Sequence, residues 1–131
     1  MATAAREPDP RRQQAERGGR RAEALAAWYL RLKLYRVLAR RYRTPAGEID
    51  LVVRRGRTIV FVEVKRRADA DAGLEAVTAT ARRRIARAAG HWIAAHPAAA
   101  GFDRRFDVVV AMPGPRIHHL RAAFDGEGRP W

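Results

Sequence analysis

The residues best suited to chemistry are three acids and a lysine on two neighbouring segments. Glu48 and Asp50 stand in Gly47-Glu48-Ile49-Asp50-Leu51-Val52, and Glu63 and Lys65 stand in Phe61-Val62-Glu63-Val64-Lys65. Carboxylates brought together repel unless a cation sits among them. Hard divalent ions such as Mg²⁺ or Mn²⁺ take one or two carboxylates and complete their shell with water. Lys65, two residues beyond Glu63 on the same side of its strand, points into the same pocket. Of the 27 basic residues only Lys33 and Lys65 are lysine, so Lys65 stands out in a chain that otherwise writes arginine. The plainer alternative is that Glu48 and Glu63 pair with surface arginines. Three converging carboxylates beside a rare lysine weigh toward a site.

The elements around these residues must bring them together. Glu48 to Val53 and Thr58 to Lys65 read as two strands of a hairpin joined by Arg54-Arg55-Gly56-Arg57. With an even turn, in which Arg54 opposes Arg57, Ile49, Leu51, Val53, Val60, Val62 and Val64 share one face. Burying six aliphatic side chains at roughly 1.5–3 kcal/mol each selects that register over an odd one. The other face then collects Glu48, Asp50, Val52, Ile59, Phe61, Glu63 and Lys65, with Glu48 directly opposite Glu63 and Asp50 diagonal to it.

Elsewhere, residues 1–19 read as a flexible basic arm, residues 20–124 as one domain and residues 125–131 as a tail. A helix is expected from Arg20, with Ala22, Leu25, Tyr29 and Leu32 on its apolar stripe, and Trp28 near it. Tyr35 to Tyr42 reads as a strand and Thr44-Pro45-Ala46-Gly47 as a turn. Ala68 to Gly73 reads as a loop, and Leu74 to Ala95 as a second helix that buries Trp92 and ends at His96-Pro97. Phe106 to Met112 is an apolar strand, and Arg116 to Leu120 an edge strand. Asp107 inside that apolar run reads as a buried, hydrogen-bonded group. His118 and His119 point to opposite faces and read as surface or edge histidines, and His91 reads as solvated.

A net charge of +13 and a pI of about 11.6 favour a polyanionic partner, nucleic acid first, although an Arg- and Ala-rich codon bias would inflate the same figure. The absence of cysteine excludes a disulfide scaffold, a thiolate zinc site and a cysteine nucleophile. No apolar run is long enough to span a membrane, and Met1 to Arg21 lacks the apolar core of a secretory signal, so the cytoplasm is the expected compartment.

The segments Gly47 to Val52, Phe61 to Arg67 and Arg105-Phe106-Asp107-Val108-Val109 resemble the YraN-like family of small uncharacterised bacterial proteins. That family is similar to Holliday-junction resolvases of the PD-(D/E)xK nuclease superfamily. The resemblance implies an α/β restriction-endonuclease-like fold, with a mixed central sheet of about four or five strands flanked by helices. It implies a Mg²⁺- or Mn²⁺-dependent endonuclease in which Asp50, Glu63 and the Val64 backbone carbonyl hold the ion and Lys65 is the catalytic lysine. Glu23, at the edge of the first helix's buried face, matches a helical glutamate that resolvase-like members add, and Glu48 is a ligand or an outer partner. Arg66, Arg67, Arg82, Arg83 and Arg84 would grip the DNA backbone without reading its sequence. The resolvase likeness also implies branched or junction DNA and a homodimer, though no exposed apolar stripe in the sequence commits the chain to one. Two other readings stand beside this one: a nucleic-acid-binding protein of the same fold with little or no catalysis, and an assembly factor bound to RNA or ribosomes.

Overall fold

The structure, a computed structural model, describes residues 9–130. Helix α1 (Pro10–Leu32) leads into strands β1 (Arg36–Thr44), β2 (Gly47–Arg55) and β3 (Thr58–Arg66). Helices α2 (Ala70–Glu75) and α3 (Ala79–Ala95) and a short 3₁₀ turn cross over to β4 (Asp103–Ala111), and β5 (Ile117–Phe124) closes the sheet. The five strands lie in the order β1-β2-β3-β4-β5. Only β3 and β4 run parallel, the pairing that requires such a crossover. This is a mixed α/β sheet flanked by helices, of the restriction-endonuclease-like kind.

Each face of the sheet buries its own core. Leu51, Val53, Val60, Val62, Val64 and Val109 pack against Ala22, Ala26, Ala27 and Leu30 of α1. Val52, Ile59, Phe61, Phe106, Val108 and Val110 pack against Ile85, Ala88, Ala89 and Trp92 of α3. Alanines let α1 lie close on its strands, whereas the α3 side is filled by the rings of Phe61, Trp92, Phe106 and Phe124.

Several boundaries differ from the sequence reading. Helix α1 starts at Pro10, where Asp9 caps it by accepting from the Arg11 amide and proline occupies the first turn, so residues 10–19 belong to the helix and not to an arm. Residues 1–8 of that arm, and Trp131, lie outside the described residues. The exposed side of α1 carries Trp28 (63% exposed) and Leu32 (78%), both read from the sequence as core. Of the expected stripe Ala22 is buried and Leu25 and Tyr29 pack half-buried against the same core, but the fully buried row runs through Ala22, Ala26 and Leu30, a spacing equally helical and written mostly in small residues. The expected second helix is two, because Asp69 caps α2 within the expected loop and Thr78 caps α3 afresh. The tail folds back: Phe124 bridges Pro130, and the Gly128 carbonyl accepts from Arg82 Nε at 3.0 Å.

Two features of the hairpin matter for function. Its turn is Gly56-Arg57, with Arg55 opposite Thr58, because glycine at φ +60° takes the first turn position. Parity is as expected, but the register lies two residues from the expected one, so Glu48 does not oppose Glu63. The second feature is a break at Asp50. Ladder pairing of β2 with β3 ends at Leu51–Val62. Ile49 packs with Val52 in the α3 core, not with Leu51, although alternation puts Ile49 with Leu51. The neighbouring strand breaks at the same level. Pairs Arg40–Leu51 and Tyr42–Ile49 flank Arg41, which takes φ +49°, and Ala39 and Tyr42 consequently reach the same core. Arg41 and Asp50 thus face one another across a kink shared by both strands.

On the other side of the sheet Asp107 is fully buried, as its apolar neighbours led us to expect. It accepts from Arg105 Nε and Nη2 at 2.8 and 2.9 Å, from His119 Nε2 at 2.7 Å and from the Ala122 amide at 3.0 Å. His119 stands on the edge strand β5, one of the two expected places, but its side chain is buried and not at the surface: it lies on the inner side of β5 where this acceptor waits. His91 is exposed and Trp92 buried, as read from the sequence.

Candidate metal centre

The kink decides which acids meet. Beyond it, β2 has changed faces, so Glu48 turns toward the α1 side and away from Glu63. Carboxylate oxygens of Glu23, Glu48 and Asp50 lie within 4.8 Å of one another. Glu23 comes from α1, where it is 8% exposed, buried next to the small-residue stripe that brings the helix close. Asp50, at the kink itself, belongs to both sides. Its Oδ2 accepts from the Val64 amide at 2.8 Å, replacing the ladder bond that the two strands no longer make. Its charge is felt by Glu63 and Lys65 on β3 as well as by Glu23.

Glu63 is 6% exposed and pairs with Lys65 Nζ at 3.3 Å. Alternation along β3 sets both on the α3 side, the face of Ile59 and Phe61. Arg84 of α3 adds a further positive charge near Glu63. The Arg84 stem crosses Gly47, which turns at φ +143°; an added Cβ there would come within 2.6 Å of it. Asp50 therefore joins two groups, the trio Glu23–Glu48–Asp50 and the buried Glu63–Lys65 pair.

The electrostatics are those of acids held together against their preference. Burial, and then the neighbouring Glu63, push the Asp50 carboxyl up to about 7, and burial also raises Glu63 despite the opposing pull of Lys65. A pH effect follows. The unfolded Asp50 releases its proton near 3.8, while the folded one keeps it to about 7, so the native state holds the extra proton between those values. Stability from this group is complete at acid pH and is lost as pH climbs through about 7. Without divalent ions, urea melts are expected to show a lower midpoint at pH 8 than at pH 5.5, and Mg²⁺ to restore it at pH 8. A midpoint that rises from pH 5.5 to 8 without metal would contradict this reading of the acids.

An arginine that the sequence did not single out completes the surroundings. Arg41 Nε donates to Glu23 Oε2 at 2.6 Å, while Arg43 pairs loosely with Glu48 at 3.5 Å near the surface. Nothing in the spacing of β1 separates Arg41 from Arg40 or Arg43; only the backbone turn at Arg41 does. Of the arginines expected to meet a backbone of phosphates, Arg66, Arg67, Arg83 and Arg84 are exposed. Arg82 is half-buried: its Nε and Nη1 donate to the Gly128 and Val77 carbonyls, satisfying main-chain acceptors beside the start of α3. Arg66 and Arg67, with Ala68, Met112 and Pro113, line a cavity of about 470 Å³ where the parallel strands β3 and β4 end, next to Lys65 in the chain.

Three oxygen-bearing acids that converge, with no sulfur or imidazole among them, form a donor set that fits a hard divalent ion such as Mg²⁺ or Mn²⁺. Among the described residues no helix is long and apolar enough to cross a membrane. Residues 22–111 match the model of the uncharacterised protein family UPF0102. A UPF0102 protein of Methylorubrum extorquens (strain PA1) is 51% identical over 122 residues, covering 93% of this chain and 95% of the relative. One from Parvibaculum lavamentivorans is 54% identical over 110 residues, covering 84% and 83%, and one from Bradyrhizobium diazoefficiens is 52% identical over 116 residues, covering 88% and 87%.

Proposed function

The chain belongs to the uncharacterised protein family UPF0102, and from that premise we propose that it is a metal-dependent endonuclease that hydrolyses DNA phosphodiester bonds with little sequence specificity. The observation that carries this reading is Asp50 at the strand break, joining a carboxylate trio to a buried Glu63–Lys65 pair. Acids forced together inside a surface of net positive charge are costly to keep, and metal-assisted phosphoryl chemistry uses that arrangement.

In this reading Asp50, with Glu23 and Glu48 on one side and Glu63 and the Val64 carbonyl on the other, would hold Mg²⁺ or Mn²⁺. When bound, the ion supplies an acidified water and polarises the phosphoryl oxygen. Lys65, fixed by Glu63, donates toward the oxygen on which negative charge grows. An arginine there would be bulkier and could not yield its proton. The Val64 amide fixes the direction of the Asp50 carboxylate, and burial of Glu23 and Glu63 fixes theirs. Arg66, Arg67, Arg83 and Arg84 contact phosphates on either side, which gives affinity without base readout and a steep dependence on salt. Branched DNA is the substrate class that the resolvase likeness favours.

The test is incubation of the purified protein with branched, single-stranded and duplex DNA, with Mg²⁺ or Mn²⁺, beside Glu63→Ala and Lys65→Ala. Cleavage by the wild type and a loss of about 100-fold or more in each variant are expected. Cleavage that survives both substitutions would identify a contaminant. Binding without cleavage on every substrate would favour a non-catalytic DNA-binding protein.

A further inference from the structure

Arg41 raises a question that the metal reading alone does not answer. A non-glycine residue at φ +49° costs roughly 1–2 kcal/mol of backbone strain. Here that turn aims a long cationic side chain at the carboxylate trio: Arg41 stands across from Asp50 between the Arg40–Leu51 and Tyr42–Ile49 pairs, and its Nε holds Glu23 Oε2 at 2.6 Å. The two partners differ in freedom. The Glu23 side chain is 11% exposed and fixed on α1, whereas that of Arg41 is 36% exposed and has a route to solvent. An ion that takes an oxygen of Glu23 must share or displace this guanidinium, and the more exposed partner is the one with room to give way.

We propose that Arg41 is a built-in cation that occupies Glu23 in the metal-free protein and is displaced when a divalent ion binds. The inference rests on the metal-centre reading above. It assigns to Arg41 a function that reading lacks: it neutralises the acids while the site is empty and sets a threshold of divalent ion below which the site stays closed by its own side chain. Competition between a tethered cation and a free one weakens apparent metal affinity by the fraction of protein in which the tethered cation is seated.

The experiment measures Mn²⁺ affinity directly, by electron paramagnetic resonance of free Mn²⁺ and by calorimetry with Mg²⁺, in the full chain without DNA. Arg41→Asn and Arg41→Gly both suit the left-handed backbone, so neither adds strain. Each is expected to bind Mn²⁺ about threefold to tenfold more tightly than the wild type, the scale of a partly exposed ion pair. Arg41→Lys, which keeps the charge, is expected to stay nearer the wild type. The gain from Arg41→Asn should shrink most of the way in a Glu23→Gln background, where the carboxylate that seats the guanidinium is gone and only the weaker pull of Glu48 and Asp50 remains. Equal or weaker affinity in Arg41→Asn and Arg41→Gly, with Mn²⁺ still bound by the wild type, overturns the role of Arg41 and leaves the metal centre standing. No Mn²⁺ binding by the wild type or by either variant overturns the metal centre, and this inference with it.

Discussion

Asp50→Asn is expected to abolish metal-supported cleavage and, in the same protein, to raise stability when no metal is present. Losing a group that merely supports a metal ligand costs about 10–100-fold, so replacing the residue that joins both halves of the site should cost more than 100-fold. The stability effect has the opposite sign. Burial and Glu63 hold the Asp50 carboxyl up to about 7, so at pH 8 the folded protein carries an ionised group in surroundings that favour the neutral one. Asparagine keeps the shape and an oxygen for the Val64 amide while removing the charge. A gain on the order of 1–2 kcal/mol at pH 8 is expected, shrinking toward pH 5 where the wild type is already protonated there. Added Mg²⁺ should raise the melting temperature of the wild type and leave the variant unmoved. A variant less stable than the wild type at pH 8 in chelator would mean that the acids are not held against their preference, and would remove the physical reason for a cation there.

Parity along the hairpin was legible because burying a row of valines is worth far more than any local preference, and it sets Glu63 and Lys65 together on one side of β3. The register was not legible from burial: shifting a hairpin by two residues preserves every face. It is settled by Gly56, whose positive φ belongs at the first turn position, and the shift takes Glu48 away from Glu63. The kink at Asp50 was hidden for a different reason. Alternation assumes an unbroken ladder, and here a side-chain acceptor replaces a backbone one, so that Ile49 and Glu48 exchange faces. This break lets acids from both sides of a sheet converge, and it is why Glu23 on α1 meets Asp50. Glu23 itself was reached through the family resemblance and its place at the edge of the apolar stripe. The same stripe misled about Trp28 and Leu32, because a helix whose buried row is mostly alanine has no strongly apolar face to choose between. Arg41 left no mark in the sequence at all, since its role depends on a backbone angle in a strand crowded with arginines.

Asp107→Ala is expected to be the most damaging single substitution to the fold, although it lies outside the acidic centre. Burial alone would raise this carboxyl, but hydrogen bonds from His119, Arg105 and the Ala122 amide more than offset it and hold Asp107 below the ordinary range. The same carboxylate ties β4 to β5 across an irregularity where Ala122 turns at φ +51°, and through Arg105 it reaches the Tyr35 hydroxyl at the start of β1. Removal leaves a guanidinium, a buried imidazole and a main-chain amide without their common acceptor. Breaking a buried charge pair costs about 3–5 kcal/mol. Arg105 keeps 23% of its side chain exposed and is partly hydrated, which sets the expectation near 3 kcal/mol, a large share of a small domain's stability. The pH dependence identifies the cause. A depressed carboxyl contributes stability that is present above its unfolded value of 3.8 and lost as pH falls through its lower folded value. The gap between wild type and Asp107→Ala in chemical melts should therefore be full at pH 7 and narrow below pH 4. Asp107→Asn, which keeps an acceptor for the Ala122 amide, should fall between them. Mn²⁺ affinity measured at low temperature on the folded fraction should match the wild type. A loss of metal affinity in that fraction would instead make Asp107 part of the acidic centre, and a gap that persists unchanged at acid pH would show that its charge is not what holds β5 in place.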